Sequence, residues 1–133
     1  MSSNTREELN LYYDFYGVLL TDKQRDIFEA YYRDDYSLKE IAEEQDISRA
    51  AVSDALKHAR TELQQYEEKL HLVKNFKKRQ IIVKKIKSLT KNEKVLNLIE
   101  DIINTENEGG QNEENYFSQF RIFILKVPVI LNA

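Results

Sequence analysis

Apolar residues recur along the first third of the chain at spacings of three and four, which places their side chains on one face of an α-helix. Residues 6–20 are predicted to form one helix with little polar surface, and a second helix follows it. Thr21 and Gln24 have the spacing of a capping box at the start of that second helix. The apolar stripes are Leu9, Tyr12, Tyr13, Phe15, Tyr16, Leu19 and Leu20 in the first helix, and Ile27, Phe28, Tyr31 and Tyr32 in the second.

Residues 37–60 have the pattern of a helix-turn-helix unit, in which two helices pack across a short turn. Ser37 and Glu40 predict a capping box for the first helix, and Ser48 predicts the cap of the second. Asp46 occupies the turn position that usually requires a left-handed backbone, which Asp tolerates moderately well. Ala42 is small enough to allow close packing. The apolar residues expected to hold the two helices together are Ile41, Ile47 and Val52.

The second helix of this unit continues into a heptad pattern of apolar residues. We predict one helix over residues 49–75, about 40 Å long at about 1.5 Å per residue. A small three-helix unit can cover only the first half of such a helix. We therefore predict a homodimer formed through the second half of the seam and residues 92–104. The seam consists of Val52, Leu56, Ala59, Leu63, Tyr66, Leu70 and Val73.

The segment that follows is basic and amphipathic over residues 74–91, with an apolar stripe of Ile82, Ile86 and Leu89. Thr90 and Glu93 predict a third capping box, followed by a helix of about 13 residues, close to the usual length. The residues of that helix expected to face inward are Val95, Leu96, Ile99, Ile102 and Ile103.

The last part of the chain differs from the rest in composition. Residues 104–114 are polar and acidic and hold two of the chain's three glycines, which predicts a linker. Residues 117–131 are strongly β-prone, and they could dock on the body, bind a partner or have no role. The predicted organisation is a helix-turn-helix domain over 1–75, a basic segment with a C-terminal helix over 76–105, and a linker with an apolar tail over 106–133.

Composition favours an all-α fold. Three glycines and one proline in 133 residues are too few for the turns of a sheet protein, and 41% apolar residues can form a modest core. The absence of cysteine excludes disulfides, thiolate metal sites and a cysteine nucleophile. No apolar run reaches the roughly 20 residues of a membrane span, and no secretory leader is visible. We expect a cytoplasmic protein without a membrane span.

Catalysis and cofactor binding have no candidate residues. The two histidines, His58 and His71, are too far apart to share a helix face, and no carboxylate at ligand spacing from either stands out from the general acidic content. The sequence contains no glycine-rich phosphate loop and no nucleophile motif. We predict a protein that is not an enzyme and needs no cofactor or metal.

Charge is distributed unevenly along the chain although the net charge is only −3. Residues 1–75 hold 10 basic and 16 acidic side chains, and residues 92–133 hold 3 basic and 7 acidic ones. Residues 76–91 hold 7 basic side chains and no acidic one. This segment is a solvated helix face balanced by the acidic parts of the protein or its dimer mate, or a binding surface for RNA or phosphate. A third interpretation is a helix lying at a membrane surface, which the narrow apolar stripe and the absence of Trp disfavour. The predicted binding residues in it are Lys77, Lys78, Arg79, Lys84 and Lys85.

A helix-turn-helix unit reads DNA with the exposed residues at the start of its second helix. Arg49 could pair with guanine or phosphate, and Ser53 could reach a phosphate or a base. Lys57 and Arg60 would lie along the DNA backbone, and Ser48, at the start of the helix, completes the predicted set of binding residues there. Against this interpretation, residues 34–46 carry six acidic side chains and one basic one, which a phosphate backbone would repel.

A specific combination of short runs lies along the chain: Tyr12-Tyr13-Asp14-Phe15-Tyr16, Thr21-Asp22-Lys23-Gln24-Arg25, Tyr31-Tyr32, Tyr36-Ser37-Leu38-Lys39-Glu40-Ile41-Ala42-Glu43-Glu44, Ile47-Ser48-Arg49-Ala50-Ala51-Val52 and Tyr66-Glu67-Glu68-Lys69-Leu70. Together these runs resemble the fourth region of bacterial sigma factors and, more closely, the YlxM family of small bacterial helix-turn-helix proteins. The resemblance covers roughly residues 9–105, and the run at 66–70 distinguishes it from a generic sigma-like domain. It implies an all-α, sigma-region-four-like helix-turn-helix domain and a regulatory protein linked to the signal recognition particle pathway.

Three functions are open at this point. The first is a nucleic-acid-binding regulator associated with the signal recognition particle, through its RNA or its GTPase. The second is a DNA-binding transcriptional regulator that uses Arg49 and Lys57. The third is a protein-interaction adaptor in which the helix-turn-helix is only a scaffold.

Overall fold

The computed structural model describes residues 4–107, and every regular element in that range is helical. This confirms the all-α fold class. The predicted linker beyond Asn107 and the apolar tail at 117–131 lie outside the described residues. The elements are α1 (Arg6–Tyr16), a 3₁₀ turn (Gly17–Leu19), α2 (Asp22–Tyr32), α3 (Leu38–Gln45), α4 (Arg49–Leu70), α5 (Leu72–Leu89) and α6 (Glu93–Asn107).

Helices α2, α3 and α4 form the predicted helix-turn-helix unit around one apolar cluster. The buried members of the cluster are Ile27, Ile41, Ala42, Val52 and Leu56. Ile47, in the turn, is half-buried against this cluster. Burial of an aliphatic side chain contributes about 1.5–3 kcal/mol, so this cluster is the main source of the unit's stability.

Helix α1 packs on the other side of α2 and α4 through aromatic side chains. The Tyr13 ring stacks on Phe28 with centroids 4.6 Å apart, and Phe28 stacks on Tyr32 at 4.4 Å. Arg6 donates to the Tyr31 and Tyr32 carbonyl oxygens at 2.8 and 3.0 Å, which satisfies carbonyl groups left free at the end of α2. The first helix is therefore part of the same core as the helix-turn-helix unit.

Two of the three predicted capping boxes differ from the expectation. The Thr21–Gln24 box is complete, with each side chain accepting from the other residue's N–H. Ser37 accepts from the Glu40 N–H at 3.1 Å, but the Glu40 carboxylate accepts from the Ser37 hydroxyl and not from its N–H. The third box, Thr90–Glu93, was wrong. The Asn92 side chain instead accepts from the N–H groups of Lys94 and Val95, because it directly precedes the first turn of α6.

The predicted single helix over 49–75 was also wrong. Helix α4 ends at Leu70, His71 adopts a left-handed conformation with φ 55°, and α5 begins at Leu72. Leu63 and Val73, which belong to the second half of the predicted seam, are 0% and 2% exposed. These two residues are covered within the chain, whereas Tyr66 and Leu70 of the same half are half-buried. The homodimer stays a prediction.

The break between α4 and α5 is stabilised by a specific cap. The Glu67 carboxylate accepts from the N–H groups of Val73 at 3.0 Å and Lys74 at 3.1 Å. The Tyr16 hydroxyl accepts from the Leu72 N–H at 3.1 Å and donates to Glu67 at 2.6 Å. The first three N–H groups of α5 thus have acceptors, as a buried helix start requires.

The chain divides after Lys74 into two compact units, and this boundary falls within α5. In the second unit, α5 and α6 are linked by ion pairs between Arg79 and Glu106 at 2.7 Å and between Lys87 and Glu100 at 2.6 Å. Ile99 of α6 is buried, whereas Ile102 is 52% exposed. The expectation that Ile102 faces inward was therefore wrong.

Candidate nucleic-acid interface

The first two turns of α4 expose the residues that the helix-turn-helix pattern predicted. Arg49, Ser53 and Lys57 are exposed, as is the acidic Asp54 among them. Ser48 is exposed too, but its hydroxyl accepts from the Ala51 N–H at 3.0 Å and so caps the helix. This surface could contact a base edge or a phosphate through Arg49, Ser53 and Lys57.

Arg60 is placed differently from the other predicted residues of α4. It is half-buried, and its Nη1 donates to the Tyr32 hydroxyl at 3.0 Å. Part of the guanidinium is therefore used to connect α4 with α2. The structure gives Arg60 a packing role that its position in the sequence did not reveal.

Acidic side chains surround the approach to α4. Those of the α2–α3 link, α3 and the turn are all exposed. Within the described residues, Lys39 lies among them, and Arg6 of α1 pairs with Asp35 at 2.6 Å. A duplex lying across α3 would bring its phosphates close to these carboxylates, which lowers affinity at any sequence. The acidic residues are Asp34, Asp35, Glu40, Glu43, Glu44 and Asp46.

Four of the five predicted residues of the basic segment lie together on α5. Ile81, which is 57% exposed, has Lys77 and Lys78 at positions i−4 and i−3 and Lys84 and Lys85 at i+3 and i+4. Residues at these spacings are neighbours on a helix surface, with Cβ atoms about 5–6 Å apart. We call Lys77, Lys78, Ile81, Lys84 and Lys85 the basic face. The four lysines are exposed, and none of them forms an ion pair with a residue of the described range 4–107.

Arg79 does not belong to the basic face. Its Nε donates to Glu106 at 2.7 Å, so this charge is neutralised by α6. Lys87 is likewise engaged by Glu100. Sequence reasoning grouped Arg79 with the lysines because it could not show which side of α5 carries the partner helix. It also missed Ile81, although the i±3 and i±4 spacing of the lysines around it was visible.

Within residues 4–107, no group of three or more His, Cys, Asp or Glu side chains could hold a metal ion. In the same part of the chain, no helix is long and apolar enough to cross a membrane.

Comparison with known proteins agrees with this fold. Residues 3–104 match the family described as "Putative helix-turn-helix protein, YlxM / p13 like". A UPF0122 protein of Caldanaerobacter subterraneus subsp. tengcongensis is 60% identical over 81 residues, which are 61% of this chain and 67% of that protein. One from Thermoanaerobacter sp. is 64% identical over 66 residues, 50% of this chain and 56% of that protein.

A third relative, from Bacillus cereus, is 49% identical over 89 residues, 67% of this chain and 81% of that protein. The matched share of these relatives therefore ranges from just over half to about four fifths of their length. The family description names a helix-turn-helix protein and no enzymatic activity. With a match that extends from the start of α1 into α6, this chain belongs to the YlxM/p13-like family of helix-turn-helix proteins.

Proposed function

We propose that this chain is a non-enzymatic regulatory protein that binds RNA through the basic face of α5. The observation that carries the proposal is the placement of four exposed lysines around Ile81, on a segment that has no acidic residue between positions 75 and 92. The resemblance to the YlxM family adds the choice of RNA, because that family is linked to the signal recognition particle pathway. The RNA of that particle is the first ligand to test.

The electrostatics of the basic face suit a phosphate backbone. Lysine ammonium groups on long side chains can each approach a phosphate, and releasing the condensed counterions makes such binding favourable and salt-dependent. Arg79 and Lys87 contribute less because carboxylates of α6 already engage them. The acidic surface around α3 favours a ligand that contacts α5 over a duplex that lies across the helix-turn-helix unit.

The test is a titration of signal recognition particle RNA by fluorescence anisotropy at several salt concentrations. Replacing Lys77, Lys78, Lys84 and Lys85 by Gln should weaken binding. The plot of log K against log salt should also become less steep by about 3, because each of the four lost phosphate contacts contributes about 0.7 to its steepness. The matched control replaces the exposed lysines Lys23, Lys39 and Lys69 by Gln and should leave the slope nearly unchanged. Equal effects of the two sets would reject the basic face as the site.

DNA reading by α4 is the second candidate, and the common exposure of Arg49, Ser53 and Lys57 supports it. Arg49→Ala should then remove about 1–3 kcal/mol of discrimination between duplex sequences. Selection from a random duplex library at low salt would identify a preferred sequence. A library that returns no preference with the unmodified protein would eliminate this candidate.

A GTPase or another protein as the main partner is the remaining alternative. Recovering partners from lysate with and without nuclease separates the three functions. RNA that is lost with the lysine substitutions supports the proposal. A protein that stays bound after nuclease treatment, and after the same substitutions, would support the adaptor function instead.

A further inference from the structure

Helices α5 and α6 expose large aliphatic side chains that the pair does not cover by itself. On α5, Ile82, Ile86 and Leu89 are 55%, 38% and 85% exposed. On α6, Leu98 and Ile102 are 62% and 52% exposed. Single exposed apolar residues are normal on a protein surface, but a group of five on two connected helices marks a surface that something else covers. We call these five residues the hairpin face.

The five residues lie on one side of the α5–α6 hairpin. The ion pairs of Arg79 and Lys87 with α6 place Val83, midway between them, toward that helix. At about 100° per residue, the exposed aliphatic residues of α5 then follow one flank of α5. Those of α6 follow one flank of α6 relative to the buried Ile99. Because both helices are right-handed and run antiparallel, these two flanks lie on the same side.

The same chain contains an apolar segment that follows α6. This segment, the apolar tail of residues 117–131, holds ten aliphatic or aromatic side chains, and its only charged residues are Arg121 and Lys126. Contact with water is unfavourable both for such a segment and for the hairpin face. Packing the two against each other removes both apolar surfaces from water at once.

The connection between α6 and the apolar tail is long enough for this contact. Nine residues, 108–116, separate Asn107 from the apolar tail, and an extended chain of that length spans about 30 Å. Leu98, near the α5–α6 turn, lies at the far end of the hairpin face. It precedes Asn107 by nine residues of helix, which is about 14 Å at about 1.5 Å per residue. The whole hairpin face is therefore within reach.

We infer that the apolar tail packs on the hairpin face of its own chain. The short connection selects this occupant, because a segment tethered in this way meets its site at an effective concentration on the order of 1 mM. A second copy, or another protein with a similar apolar surface, would have to compete at a far lower concentration. The inference is independent of the proposed function, since the basic face lies on the side of α5 away from α6 and takes no part in the contact.

The first test is limited trypsin digestion of the full chain, followed by mass spectrometry. Trypsin cleaves after Arg121 and Lys126, and a packed apolar tail is protected until it leaves the hairpin face. Replacing Leu98 and Ile102 by Glu should raise the rate of cleavage at these two sites about tenfold, because cleavage follows the population of the open form.

The matched control adds the same two charges outside the hairpin face, by Ile81→Glu on α5 and Asn97→Glu on α6. Both positions are exposed, so this variant should be cleaved nearly as slowly as the unmodified chain. Circular dichroism establishes that both variants retain their helices. Equal cleavage rates in the two variants would overturn the inference. Cleavage of the unmodified chain as fast as of a free peptide with the sequence of residues 117–131 would overturn it as well.

Photo-cross-linking identifies the occupant without adding a charge. The full chain with p-benzoylphenylalanine in place of Ile102 is irradiated as an equal mixture of ordinary and isotope-labelled protein. Cross-links to residues 117–131 that stay within one isotope form support the inference. Cross-links that join the two isotope forms would identify a second copy as the occupant and overturn it, as would the absence of any cross-link to residues 117–131. RNA binding is measured separately, so its absence would reject the proposed function without affecting this result.

Discussion

The Tyr16 hydroxyl donates a 2.6 Å hydrogen bond to the Glu67 carboxylate, and the two side chains together cap the first turn of α5. They come from runs 51 positions apart, at the end of α1 and near the end of α4. Those two runs, Tyr-Asp-Phe-Tyr and Tyr-Glu-Glu-Lys-Leu, extend the family resemblance beyond the sigma-like core. The cap gives a physical reason for that extension, because it connects α1, α4 and the start of α5.

We predict that Tyr16→Phe and Glu67→Gln each lower the free energy of unfolding by about 1–2 kcal/mol, because each leaves a buried N–H without its full acceptor. Their effects should not add, and a double-mutant cycle should give a coupling energy of about 1 kcal/mol. Urea unfolding measures all four stabilities. Tyr12 and Glu8 form the matched control, since Tyr12 donates to Glu8 at 3.0 Å without capping a helix. An equal coupling energy in both pairs would contradict the capping role.

We also predict that stability decreases in alkaline solution. Burial raises the pKa of the Tyr12 hydroxyl from 10.0 to about 12, and its hydrogen bond to Glu8 acts in the same direction. Burial, followed by hydrogen bonds to Glu29 and Glu67, also raises the pKa values of Tyr13 and Tyr16. Because these pKa values are higher in the folded state, the neutral tyrosines contribute stability that is complete below pH 10 and is lost as the pH rises further.

The measurement is denaturant unfolding between pH 8 and pH 12, on the order of one point per half unit, for the unmodified protein and for Tyr12→Phe. The contribution of Tyr12 is the part of the decrease between pH 10 and 12 that the variant lacks. Lysine deprotonation affects both proteins equally and so cancels in the comparison. Identical pH profiles would show that the Tyr12 hydroxyl does not have a raised pKa in the folded state.

Asp46 has a left-handed backbone, with φ 54° and ψ 47°, at the turn of the helix-turn-helix unit. Asp46→Gly should stabilise the chain by about 0.5–1 kcal/mol, since glycine adopts this conformation without the steric cost of a Cβ atom. Glu44→Gly, at an exposed position inside α3, is the control and should destabilise by about 1 kcal/mol. Thermal unfolding gives both values. A loss of stability with Asp46→Gly would mean that the Asp46 side chain contributes more than its backbone strain costs.

Asn92 is the residue that caps α6, and we predict that Asn92→Ala costs about 1 kcal/mol. Its side chain accepts from the Lys94 N–H at 3.0 Å, whereas Glu93 is the first residue of the helix. Glu93→Ala should cost only a few tenths of a kcal/mol, because only a favourable charge near the helix start is lost. Hydrogen exchange of the first-turn amides of α6 reports the difference. Faster exchange in Glu93→Ala than in Asn92→Ala would restore the capping box that the sequence predicted.

Much of the fold followed from local sequence patterns, because those patterns are themselves local interactions. The Thr21–Gln24 box, the Ser48 cap and the left-handed Asp46 each depend on residues within a few positions of one another. The family resemblance also rests on short runs of consecutive residues, so it could be recognised without the tertiary structure. Where two local signals competed, as at Thr90 and Asn92, the pattern selected the wrong one, since both residues are good caps.

The sequence by itself determined that the chain is helical, that it contains a helix-turn-helix unit, and that its positive charge is concentrated on one segment. Only the tertiary structure decided where α4 ends. His71 adopts a left-handed backbone there, and the N–H of the next residue, Leu72, donates to the hydroxyl of Tyr16, a residue far away in the chain. The tertiary structure also separated Arg79, which pairs with Glu106, from the four exposed lysines. Helical periodicity gives the angle between two side chains, but the packed neighbour determines which of them faces solvent.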